Sequence, residues 1–88
     1  MMDIGKRIKI LRKRKNMTQK ELGILLGFKE STAVVRITQY EKSSRMPRDN
    51  ILQNICNIFD VKKEVLTSST GDPVIDLCID MYWLSMEG

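Results

Sequence analysis

The chain has 88 residues, with 15 lysines and arginines, 11 aspartates and glutamates, and no histidine. That length makes one domain, near the size at which a single core only just suffices, so association with another copy is a natural aid. Without histidine there is no Ser–His or Cys–His nucleophile pair, no imidazole base and no His-ligated metal, so neither an enzyme nor a bound cofactor is expected.

The net charge of +4 is unevenly placed: residues 1–48 carry 13 basic against 4 acidic side chains, and residues 49–88 carry 2 against 7. A basic front half favours a polyanionic partner and salt-dependent binding. Cys56 and Cys78 lack CxxC spacing and sit in apolar patterns, which reads as two buried thiols in a reducing cytoplasm. No apolar leader opens the chain, and the apolar stretch near its end is short and carries aspartates. No membrane span and a cytoplasmic location are therefore expected.

In chain order, Asp3 caps a first helix over residues 3–15, with Ile4, Ile8 and Leu11 as its apolar stripe. Its many Lys and Arg residues read mostly as a solvated face. Thr18-Gln19-Lys20-Glu21 has the form of a capping box that starts a second helix, with Met17 as its hydrophobic staple. Leu22, Leu25 and Leu26 follow at helical spacing, and Gly27 is the expected left-handed stop. Gly23 lowers helix propensity by about 1 kcal/mol relative to alanine, so its place within the helix predicts close approach of the next one.

Phe28 to Thr32 is read as a turn with Thr32 as N-cap, followed by a third helix from about Ala33 to Glu41. Ile37 and Tyr40 face inward, and Val34, Val35, Arg36, Thr38 and Gln39 form the outer face. A fourth amphipathic helix covers Asp49 to Phe59, and residues 62–66 make a short fifth. Residues 67–71 form a polar linker. Asp72-Pro73 then opens a sixth helix that is apolar nearly all round except for Asp76, Asp80 and Glu87. Such a helix needs cover on more than one side, which points to a homodimer through Ile75, Ile79, Tyr82, Trp83 and Met86. The competing reading folds it back on its own domain.

Thr18-Gln19, Glu21-Leu22, Leu26-Gly27, Ile37, Tyr40-Glu41 and Arg45 before Pro47 together resemble the phage-repressor and Cro-like (XRE-type) helix-turn-helix proteins, over roughly residues 4–66. The resemblance implies an all-α, five-helix DNA-binding domain over residues 1–66, with residues 72–88 as an added C-terminal helix. It implies double-stranded DNA as partner and an ion pair between Arg12 and Glu41 that joins the first helix to the third. Valines 34 and 35 would meet thymine methyls, while Arg36, Thr38 and Gln39 would read base edges. Gln19, Thr32, Lys42, Ser44 and Arg45 would hold phosphates, with backbone N–H groups helping.

Three departures stand against the family pattern. Gly27 to Tyr40 is about one helical turn longer than in the phage repressors, serine 43 stands where relatives often have glycine, and relatives with such a tail often continue past this length. The expected role is a homodimeric repressor on a pseudo-palindromic operator, without a small-molecule ligand. The alternative is an antitoxin-like module whose apolar tail binds another protein.

Overall fold

The computed structural model describes residues 3–68 and 72–87. Its helices are α1 (Ile4–Arg14), α2 (Gln19–Leu25), α3 (Glu30–Glu41), α4 (Asp49–Phe59), α5 (Lys63–Thr67) and α6 (Pro73–Glu87). No strand occurs among the described residues, so the chain is all-α. Of the expected linker, Thr67 ends α5, Ser68 follows it, and residues 69–71 lie outside the described residues.

Helix starts follow local chemistry. Asp3 accepts from the Lys6 N–H at 2.9 Å. In the capping box the Glu21 N–H donates to Thr18 Oγ1 at 3.0 Å and the Thr18 N–H donates to Glu21 Oε1 at 3.1 Å. Asp72 Oδ1 accepts from the Val74 N–H at 2.9 Å. The first four stops share one device. Asn16, Gly27, Ser43 and Asp60 all have positive φ, and each is flanked by the paired bonds of a Schellman motif. After α3, for example, the Ser43 N–H donates to Tyr40 O and the Ser44 N–H to Gln39 O. Ser43, at φ 59°, thus takes the left-handed conformation that favours glycine.

The core gathers Ile8 and Leu11 of α1, Leu22 and Leu26 of α2, Ile37 and Tyr40 of α3, Leu52, Ile55, Cys56 and Phe59 of α4, and Leu66 of α5. Two close approaches fix how the helices cross. A Cβ on Gly23 would lie 2.6 Å from Ala33 Cβ and 2.8 Å from its Cα, so α2 and α3 meet where no larger side chain fits. A Cβ on Gly5 would overlap Tyr40 O, which seats the start of α1 on the end of α3.

Three expectations need correction here. Arg7 is not part of a solvated face. It is 1% exposed, and its Nη1 donates to Leu66 O and Ser68 O at 3.0 Å each, while the guanidinium lies 5.4 Å from the Trp83 ring centroid. Burial lowers its pKa, and the charges of Asp80, Asp3 and Asp76 oppose that shift. Second, Trp83 is 1% exposed within the chain's own core, with Ile79 and Met86 packed against the same cluster. None of these three points outward to a second copy, because the buried cation of α1 draws the acidic and aromatic side of α6 onto itself. Third, Cys78 is exposed, while Cys56 is buried as expected.

Candidate nucleic-acid interface

The third helix begins earlier than its sequence pattern suggests. Lys29, not Thr32, is the N-cap, and its carbonyl accepts from the Thr32 and Ala33 N–H groups. Thr32 lies in the first turn, where its hydroxyl donates to Lys29 O at 3.2 Å. Glu30 explains the early start. A carboxylate in the first turn is favoured by the helix dipole, and Glu30 also pairs with Lys20 of α2 at 2.6 Å. That pairing lowers the Glu30 pKa, chiefly through the hydrogen bond from Lys20. The segment after Phe28 therefore lengthens the helix and not the turn.

Ala33, Ile37 and Tyr40 fix the inner side of α3. Ser31, Val35 and Lys42 are exposed on the outer side, and Thr38 and Gln39 are half-buried between them. Val34, 44% exposed, and Val35, 56% exposed, both point away from the core. Val34 sits on the flank beside the inner residues, whereas Val35 shares its stripe with Ser31 and Gln39 at four-residue spacing. Arg36 lies on the opposite flank, its guanidinium 5.6 Å from the Phe28 ring centroid. Phe28 in turn packs on Tyr40, with ring centroids 6.2 Å apart.

A relay of polar side chains ties this surface to the core. Arg12 donates from Nε to Glu41 Oε2 at 2.6 Å and from Nη2 to Glu41 Oε1 at 3.2 Å. Gln19 Nε2 donates to the same Oε1 at 3.0 Å, and Thr38 Oγ1 donates to Gln19 Oε1 at 3.2 Å. Arg12 Nη1 also donates to Met17 O at 2.8 Å. The pair is largely withdrawn from water, with side-chain exposures of 11% and 3%. The Gln19 side-chain amide, expected at a phosphate, is thus part-buried and engaged at both ends by protein partners. The Gln39 side chain differs: its Oε1 is buried with no hydrogen-bond partner among the described residues.

Lys42, Ser44 and Arg45 are exposed in the loop after α3. Their backbone N–H groups are spent on Thr38 O and Gln39 O, so only side chains are offered there, contrary to expectation. Ser31 stands on this outer side although the sequence pattern placed the helix start after it. The acid at Glu30, in phase with a first turn, was the available signal.

No described helix is long and apolar enough to cross a membrane. Neither the curated proteins nor the solved structures give a significant match. The helix-turn-helix family HTH_3 matches residues 8–66, which is more than half of the chain, runs from within α1 to within α5 and excludes α6. The arrangement of α2 and α3 and this match converge: the chain belongs to the XRE/Cro/phage-repressor-like helix-turn-helix family and is a DNA-binding transcription regulator.

Proposed function

We propose that the protein is a sequence-specific, homodimeric repressor that sets α3 into the major groove of a pseudo-palindromic operator and acts by occlusion. The observation that carries this reading is that α3 is pinned on its inner side by Gly23 against Ala33 and left open along its outer side. A rigid helix with an exposed mixed face is what base reading requires. Val35, Thr38 and Gln39 form the centre of the reading surface, with Val34 and Arg36 on its flanks. Turned outward, the Gln39 amide pairs bidentately with adenine and gains the partners it lacks in the free protein. Thr32 at the first turn of α3, the N-terminus of α2 at Gln19, and the loop side chains of Lys42, Ser44 and Arg45 hold the phosphates.

Selection from a random double-stranded library at near-physiological salt tests this directly. An enriched inverted repeat, with half-sites about 34–36 Å apart, is the expected result. Gln39→Ala then loses roughly 1–3 kcal/mol at one base pair, whereas Lys42→Ala weakens all sequences alike and lowers the salt slope by about one. Equal loss on cognate and random DNA for Gln39→Ala would overturn its assignment.

A further inference from the structure

We infer that the second copy docks antiparallel on the uncovered side of α6, through Val74, Leu77, Met81 and Leu84. The inference rests on the homodimeric reading above and replaces the inward-facing residues that the sequence pattern suggested.

Helix α6 is two-sided. Trp83, Ile79 and Met86 face the core, and Asp76 and Asp80 act on the buried Arg7. The opposite side is apolar and open: Val74 is 70% exposed, Leu77 59%, Met81 60% and Leu84 50%, flanked by Tyr82 at 56% and Ile75 at 48%. Tyr82 and Ile75 lie on the flank towards Ile79 and Trp83, so the stripe of Val74, Leu77, Met81 and Leu84 is what a second helix would cover. By itself it supplies roughly half of the ~800 Å² that each partner gives to a standard interface, which is the scale of a small one.

Three features select another copy of this chain as the occupant. The helix contains no lysine or arginine, so it offers nothing to DNA or to an anionic lipid surface, where amphipathic helices carry cations. The spacing of Val74, Leu77, Met81 and Leu84 is three, four, three and reads the same in both directions. A two-fold axis beside the middle of the helix therefore sets Val74 against the partner's Leu84 and Leu77 against the partner's Met81, which closes the whole stripe with no unmatched end. Such an interface is isologous, as two-fold symmetry demands. The arrangement also leaves Trp83 and Arg7 undisturbed, so the domain need not refold to associate.

Sedimentation equilibrium on the full chain is the first test. The expected species has twice the 10.2 kDa chain mass. Met81→Glu, which places a charge at the centre of the stripe on an already exposed side chain, raises the dissociation constant roughly a hundredfold with unchanged circular dichroism. Gln53→Glu on the exposed side of α4 leaves it unaltered. The second test uses a Cys78→Ser background and a short bismaleimide. A mixture of Val74→Cys and Leu84→Cys chains cross-links between the two variants in preference to either variant alone.

A monomer at micromolar concentration, a dimer indifferent to Met81→Glu, or cross-linking confined to like variants overturns the proposal. If the chain is monomeric yet the DNA library still yields a defined half-site, the DNA reading stands and only this interface falls. If the dimer forms and no sequence is enriched, the interface stands and the repressor reading falls.

Discussion

Replacing Glu41 by alanine removes the acceptor shared by Arg12 and Gln19 and leaves the Arg12 guanidinium facing a site with no anion. Arg12 keeps one bond, to Met17 O at 2.8 Å, and its side chain is 11% exposed. Breaking a buried ion pair from one side is worth about 3–5 kcal/mol. The remaining carbonyl bond and the partial exposure place Glu41→Ala at the lower end, about 3 kcal/mol.

A chain of this size has total stability of roughly 4–13 kcal/mol, so the loss is a large fraction of the whole. It corresponds to a fall in Tm of roughly 12–24 °C. Urea unfolding followed by circular dichroism, with equal m-values for both proteins, measures it. The double variant Arg12→Leu with Glu41→Leu removes both charges and is expected to recover most of the loss, because an apolar pair needs no counter-charge. A loss below about 1 kcal/mol for Glu41→Ala would falsify the reasoning, since that is the size of a solvent-screened surface bridge.

Ser43→Gly relieves a left-handed residue at φ 59° and is expected to stabilise the chain by about 0.5–1 kcal/mol, the left-handed penalty less the entropy of glycine; thermal melting checks it. Arg7→Ala takes away the cation beneath Trp83 and the donor to Leu66 O and Ser68 O. Because the chain has one tryptophan, the undocking of α6 is expected as a red shift of its emission, and an unshifted spectrum would refute the tether. Glu21 titrates below the usual glutamate range because the Thr18 backbone N–H, and then its hydroxyl, stabilise the carboxylate. The carboxylate's share of the capping-box stabilisation is accordingly complete at neutral pH and is lost as pH falls through that lowered value, while the Glu21 N–H to Thr18 Oγ1 bond remains. NMR titration of the Glu21 carboxyl checks the direction, and Glu21→Gln removes this part of the acid sensitivity.

The first five helices were legible because their signals are local. The capping box, the glycine stop and the period of Leu52, Ile55, Cys56 and Phe59 all act within a few residues, as does the Asp-Pro start of α6. What escaped was set by tertiary contacts. Arg7 stands in phase with Ile4, Ile8 and Leu11, so its position lay on the apolar stripe, but only Trp83 and two carbonyls explain why a cation is kept there. The sides of α6 could not be told apart from a nearly uniform apolar sequence, and the choice was made by the acids facing Arg7. Thr32 was misplaced because threonine is a good cap, yet Glu30 nearer the start, with Lys20 across from it, carries the helix further back. The relay from Thr38 through Gln19 to Glu41 joins residues from different helices, and the periodicity of each helix alone does not contain it.

The left-handed stops at Asn16, Gly27, Ser43 and Asp60 also bear on how quickly the molecule assembles. Each chain reversal closes through bonds spanning no more than six positions, so the turns between the first five helices do not wait for distant partners. Low contact order of this kind goes with refolding in microseconds to milliseconds. The bonds of Arg7 to Leu66 and Ser68 span 59 and 61 positions, and the seating of Trp83 depends on them. The expected refolding trace is therefore early helix formation within residues 3–67 followed by a slower docking of α6, and a single common rate for both signals would refute this order. Helix formation is visible in the far-ultraviolet signal, and docking in tryptophan emission.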